Sequence, residues 1–119
     1  MVFEILEKDL AGRVGRLRTR SGIIETPALF PVINPVKQVV SLNDIAEIGF
    51  NQVITNAYLL KRHYGDLVRE VGVHKLLNWD KPIMTDSGAY QLLMYGKVEV
   101  SPDEILRYEI DIGTDIGVI

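Results

Sequence analysis

Cysteine is absent from the 119 residues, which excludes disulfide staples, thiolate nucleophiles and cysteine-ligated zinc within this chain. Histidine is scarce, with His63 and His74 the only two. They stand on different segments without metal-ligand spacing, and both are read as solvated surface residues. No apolar run reaches the roughly eighteen residues of a membrane-spanning helix, and Met1-Val-Phe-Glu-Ile-Leu-Glu7 lacks the basic, apolar and small-residue blocks of a secretory signal. A cytoplasmic chain with no membrane partner is expected. Neither Gly-x-Gly-x-x-Gly nor a Walker lysine motif occurs, which weighs against the nucleotide-binding α/β folds. An excess of positive charge is lacking too. The formal net charge of −3 argues against wholesale electrostatic capture of nucleic acid by this chain alone.

What is present is an apolar fraction of 47%, enough for a real core in a chain of single-domain length. Positive charge is concentrated locally in Arg13-Val-Gly-Arg-Leu-Arg-Thr-Arg20, where Arg16, Arg18 and Arg20 share a parity that puts them on one strand face. A solvated hairpin face is the preferred account of that cluster.

The first quarter of the chain reads as β structure. Short strands are expected over 3–6 and 13–19, with Arg20-Ser21-Gly22 as a turn before the β-branched pair Ile23-Ile24, giving an antiparallel opening hairpin over residues 1–26. Thr26-Pro-Ala-Leu-Phe-Pro-Val-Ile33 then suits a first barrel or edge strand, since its prolines rule out a helix interior. From there strand and helix alternate. Ser41 caps a short helix that Gly49 ends, and Gln52–Thr55 forms a strand. Helical text resumes over about 65–77, with Gly72 as a weak point, and Pro82–Thr85 forms the next strand. The last helix opens with Ser101 as cap, Pro102 at its first position and Glu104 completing a capping box, carries Ile105, Tyr108 and Ile112 at helical spacing, and stops at Gly113. Asp115–Ile119 starts another strand. Alternation of this kind implies a parallel sheet covered by helices, because parallel neighbours need crossover connections. The fold class is α/β. The expected architecture is a partial (β/α)8 TIM barrel, about its first half, over residues 27–119, since a closed barrel typically takes about 250 residues.

Chemistry is concentrated where strands end. Lys81-Pro-Ile-Met-Thr-Asp-Ser-Gly-Ala-Tyr-Gln91 runs from apolar residues straight into a carboxylate, a hydroxyl, a glycine and an aromatic ring, and Val53-Ile-Thr-Asn-Ala-Tyr58 repeats that grammar thirty positions earlier. In a barrel, functional residues emerge at the C-terminal ends of strands, where Asn34, Asn56 and Asp86 fall. An aspartate there can accept hydrogen bonds from a purine-like base, take a proton, or attack a sugar carbon, and the residues do not choose among these. Gly88 permits a close approach or positive φ, Tyr90 offers a flat face for stacking, and Asn56 could donate to the Asp86 carboxylate and hold its orientation. The bland alternative makes Thr85-Asp86-Ser87 a helix cap and Tyr90 a packing residue.

Thr85-Asp-Ser-Gly-Ala-Tyr-Gln91 resembles the signature of the tRNA-guanine transglycosylases, and Ile54-Thr-Asn-Ala-Tyr-Leu-Leu60 resembles their preceding strand exit. The likeness extends from Thr26–Val32 through Gly113-Thr-Asp-Ile116 and so covers essentially the whole chain. Ala89-Tyr90 is similar to the archaeal branch, which inserts 7-cyano-7-deazaguanine for a guanine in the dihydrouridine arm of tRNA on the way to archaeosine. The resemblance implies Asp86 as the catalytic acid of the motif, with Asn56, Ser87, Gly88 and Tyr90 binding the base, and tRNA and a 7-deazaguanine as partners. It also implies an attacking aspartate, RNA-binding extensions and a structural zinc whose residues are not found in these 119, and no other cofactor. The expectation is therefore the N-terminal portion of a transglycosylase barrel, inactive alone, self-associating, or completed by a second half as a separate chain. The competing readings are a non-catalytic RNA-binding or partner-binding half-barrel module, and an unrelated barrel enzyme acting on a sugar or small acid.

Overall fold

A computed structural model describes residues 1–88 and 101–119. It contains two three-stranded sheets. The first is antiparallel in the order β1-β2-β3, with β1 at Val2–Asp9, β2 at Gly12–Thr19 and β3 at Gly22–Thr26. The opening hairpin is thus longer than expected and gains a third strand. Phe3 explains why a strand interior tolerates Gly15: a Cβ there would meet the Phe3 ring at 2.7 Å, so the glycine makes room for the aromatic across the ladder. Pairing also accounts for the arginine row. Arg16 stands opposite Glu4 on β1 and Glu25 on β3, and the Arg18 guanidinium lies 3.9 Å from Glu4. Acids on both neighbouring strands offset that stretch of positive charge, as a solvated hairpin face requires.

The second sheet is parallel in the order β4-β5-β6, with β4 at Val53–Asn56, β5 at Ile83–Asp86 and β6 at Ile116–Gly117. The stretch from Thr26 to Ile33, expected as a full strand, contributes only a single parallel bridge, Val32 to Ile54, held by Ile33 N–H to Ile54 O at 2.8 Å and Ile54 N–H to Pro31 O at 3.0 Å. Pro27 and Pro31 have no N–H to extend a ladder, so pairing is left to the Pro31 carbonyl and the Ile33 amide.

Helices cover one face of this sheet. Helix α1, Leu42–Ile48, starts where Ser41 Oγ accepts the Asp44 amide and ends at Gly49 in the left-handed region. The helical text read over 65–77 starts earlier than expected and is broken twice: α2 is Ala57–Tyr64, α3 is Asp66–Val71 and α4 is Val73–Leu77. Gly65 and Gly72, at φ 55° and 85°, make the two breaks. Helix α5, Pro102–Asp111, has the expected cap, with Ser101 Oγ accepting the Glu104 amide. Alternation along the strands divides the sheet cleanly: Val53, Thr55, Ile83 and Thr85 are buried toward the helices, whereas Ile54, Asn56, Met84 and Asp86 look the other way. The core gathers Leu60, Val68, Val73, Ile105, Tyr108 and Ile112 against the buried strand residues. Burial pushes the Tyr108 phenol up to about 12. It therefore stays protonated and donates to Gly65 O at 3.0 Å, closing the first break in the helical segment. Among the described residues no helix is long and apolar enough to cross a membrane.

One side chain ties the two sheets together. Asp115, 1% exposed, receives the Ser21 amide of the β2–β3 turn at 3.1 Å, the Ile83 amide of β5 at 2.9 Å and His74 Nε2 of α4 at 2.9 Å. His74, expected on the solvated surface, is instead part of this tie and also meets Ser21 Oγ at 2.9 Å. Replacing Asp115 with Ala takes the acceptor from the Ser21 and Ile83 amides and from His74 at once, and a loss of about 3 kcal/mol of stability is expected. Urea unfolding of the two proteins reads this directly, and an unchanged midpoint would show that the tie contributes nothing.

Candidate functional site

The two strand exits meet because β4 and β5 pair in parallel and in register, Val53 with Ile83 through Asn56 with Asp86. Side chains at paired positions of a parallel ladder point to the same face. Asn56 and Asp86 therefore stand side by side at the C-terminal edge of the sheet, on the face away from the helices. A cavity of about 270 Å³ opens there, lined by Val32, Ile33, Asn34, Ile54, Asn56 and Asp86 among others. Asn34, Asn56 and Asp86, from three successive segments, thus look into one space with a mostly apolar floor. An apolar floor with a few convergent polar groups is the general composition of a small-molecule site.

Each polar group is positioned by its local backbone. Asn56 is the N-cap of α2, its Oδ1 accepting the Leu59 amide at 2.9 Å, so the amide the sequence assigned to orienting Asp86 also starts a helix that sequence reading did not find. Asn34 Oδ1 accepts the Val36 and Lys37 amides at 2.9 and 3.1 Å, which turns the chain sharply over the cavity rim. Asp86 is exposed to the cavity, and its Oδ1 receives the Gly88 amide at 3.4 Å. Ser87 is half-buried. Gly88 adopts φ 86°, and a Cβ on it would stand 2.3 Å from Tyr58 Cβ and 3.1 Å from Asn56 Oδ1. The glycine of one exit is therefore seated on the Asn56-Ala57-Tyr58 turn of the other. Tyr90 lies outside the described residues.

Beneath Asp86, on the helix side of the sheet, sits a group that sequence reading missed. Glu109 of α5 is 1% exposed. Its Oε1 meets Thr85 Oγ1 at 3.1 Å, while Oε2 has no hydrogen-bond partner and abuts Gly117, whose Cβ, if it had one, would be 2.9 Å away. Desolvation raises its pKa from the ordinary 4.5 to about 7, opposed by the Thr85 hydrogen bond and reinforced by the nearby charge of Asp86. The signal was present: Glu109 falls on the same helical stripe as Ile105, Tyr108 and Ile112, a charged residue at a core position.

The Ser21, His74 and Asp115 cluster has the residue types of a hydrolytic triad but not its wiring. Both contacts fall on the same ring nitrogen, Nε2. A proton there is shared by the carboxylate and the hydroxyl, so Ser21 has no free base to activate it. The cluster also contacts Ile83 at the start of β5, the opposite end from Asp86.

Residues 9–119 match the family model described as queuine tRNA-ribosyltransferase. Among curated proteins the chain is similar to the tRNA-guanine(15) transglycosylases of Pyrobaculum aerophilum, 58% identical over 119 residues, of Sulfolobus acidocaldarius, 51% over 117, and of Methanopyrus kandleri, 46% over 121. The matches take in 100%, 98% and 100% of this chain but only 23%, 23% and 26% of the respective relatives, so it spans about a quarter of their length.

Glu109 makes stability depend on pH with a definite sign. The folded chain holds the Glu109 proton more tightly than the unfolded chain, so the contribution of this group to stability is fully present below about 4.5 and is lost as pH rises through about 7, by roughly 3 kcal/mol in all. Thermal unfolding across that range should show the decline, and Glu109→Gln, which keeps the shape without the charge, should flatten it.

Proposed function

The chain belongs to the queuine tRNA-ribosyltransferase family, and from that premise we propose that it supplies the base-recognising wall of an enzyme that exchanges a guanine in tRNA for a 7-deazaguanine. The observation that carries this reading is the level placement of Asn56 and Asp86 at one cavity, with Gly88 packed against Tyr58 to hold the two exits together. A guanine-like base presents an N–H edge and a carbonyl side by side. A carboxylate accepts from the first, and a neighbouring amide can donate to the second. Asp86 is assigned to base recognition and proton transfer, Asn56 to orienting it, Ser87 and Gly88 to shaping the turn that admits the base, and Tyr90 to stacking.

The architecture that goes with this role is the first half of a (β/α)8 barrel, residues 27–119, preceded by the antiparallel extension of residues 1–26. Support comes from the order of parallel segments, the Val32 bridge, then β4, β5 and β6, with the described helices covering one face. In such a barrel Ile54, Asn56, Met84 and Asp86 look inward and the site sits at the C-terminal rim. The displacement itself calls on an aspartate outside these residues to attack the anomeric carbon. Guanine leaves, and the incoming 7-cyano-7-deazaguanine releases the covalent enzyme–RNA intermediate with retention. The target nucleotide must first leave its stack, at a cost of a few kcal/mol that pocket contacts offset. The structural zinc implied by the family resemblance finds no donor set here. The chain has no cysteine, and among the described residues no three His, Asp or Glu gather as ligands. A cytoplasmic location goes with this reading, and the exposed apolar residues of β1, Val2, Phe3 and Ile5, support self-association or a second half-barrel chain as partner.

A chimera in which this chain replaces the matched region of the Pyrobaculum aerophilum relative is expected to incorporate labelled guanine into tRNA, whereas residues 1–119 alone are expected to show none. In that chimera Asp86→Asn should lower exchange by roughly 100-fold or more, the usual contribution of a positioned acid or base. Undiminished exchange by the variant would remove Asp86 from the chemistry.

A further inference from the structure

Glu109 is the one described side chain with a buried, unpartnered polar oxygen, and nothing assigned to the cavity uses it. Its surroundings are built to hold the carboxyl group in one place. Helix α5 brings it against the sheet, Gly117 on β6 leaves space for Oε2 that any side chain would fill, and Thr85 on β5 meets Oε1 at 3.1 Å. Thr85 also lies 3.1 Å from Thr114 Oγ1, and Thr114 Oγ1 in turn reaches Ile83 O at 3.1 Å and Ile116 O at 3.2 Å. Those carbonyls accept only, so the Thr114 hydrogen is committed to them. Thr85 has one hydrogen for two acceptors: it donates to Oε1 while Glu109 is ionised, and it turns to Thr114 when the protonated carboxyl group donates to it instead. The chain of donors runs Glu109, Thr85, Thr114, backbone, and it is complete only when Glu109 carries its proton.

We infer that Glu109 is a positioning residue for Asp86: its buried carboxyl group braces Thr85 from the helix side, so that the next residue leaves the sheet toward the cavity, and it transmits its own protonation state to the Asp86 carboxylate. Loss of the proton reverses the Thr85 hydroxyl and sets a second negative charge behind Asp86. The other charged groups around it are already engaged. Lys61 of α2 lies over the Tyr108 ring at 5.2 Å, Arg69 of α3 pairs with Asp66 and Asp111, Asp115 is held by His74 and two amides, and β4 and β6 present no ionisable side chain. Asp86 is the charge that acts on Glu109 directly. What this coupling does in catalysis rests on the base-exchange reading, but the coupling itself does not.

Carbon-detected NMR titration of the side-chain carboxyls in the 119-residue chain tests it. The Glu109 Cδ signal is expected to titrate near pH 7, and the Asp86 Cγ signal to show a second inflection at the same pH. That inflection should vanish in Glu109→Gln. In Asp86→Asn the Glu109 midpoint should move down, because a negative neighbour has gone. A Glu109 that is merely a packed core acid would titrate without any response at Asp86, and that result, or an inflection surviving in Glu109→Gln, would overturn the proposal. Should Glu109→Gln fail to fold, the wild-type and Asp86→Asn titrations decide alone. Exchange that is indifferent to Asp86→Asn would sink the catalytic assignment and leave this coupling standing.

Discussion

In-register parallel pairing of β4 with β5 is the constraint on which the rest of the molecule turns. Strand side chains alternate with a period of two, so a slip of one residue would carry Asn56 or Asp86 into the helix-covered core and bring an apolar partner out. The register is held from both faces. Val53, Thr55, Ile83 and Thr85 must remain beneath the helices, and Gly88 can reach its seat on Tyr58 only if the two exits are level. Hydrophobic burial and the cavity's polar rim are therefore settled by the same choice.

The two ends of β5 carry opposite kinds of polar order. At its start, the Asp115 side chain is buried and engaged by the Ser21 and Ile83 amides and the His74 ring, which tie the antiparallel sheet to the helices. At its end, Asp86 stands open to the cavity with a single long contact from Gly88. A buried carboxyl with several donors is a structural joint, and an open one with unfilled acceptor capacity is free to meet a ligand. Glu109 lies between these cases, enclosed like Asp115 but with one partner, which is why it keeps its proton so far above the ordinary range.

Much of this was legible in the chain of letters. The caps at Ser41 and Ser101, the alternation of strand and helix, and the paired grammar of the Asn56 and Asp86 segments all rest on local rules that tertiary structure did not override. What escaped was non-local. The Asn56 side chain begins α2, but the same letters also read as a strand exit, and only the packed structure shows that both hold. His74 looked like surface because its partners, Ser21 and Asp115, are far away in sequence. The segment around Pro27 and Pro31 has the apolar content of a strand, yet donor counting limits it to one bridge. Glu109 was visible as a charge on a core stripe and was passed over because the aliphatic spacing around it explained the helix without it.

The seat of Gly88 on Tyr58 has an evolutionary corollary. The crowding atom is the β-carbon of residue 58, which every amino acid except glycine possesses, so exchanging Tyr58 for another side chain opens no room opposite. Position 58 is itself held by the core, where its side chain is 2% exposed, while position 88 is held at its smallest letter by the β-carbon opposite. Single-step mutational walks that try to enlarge residue 88 run into a wall that no trimming of the side chain at residue 58 short of glycine removes.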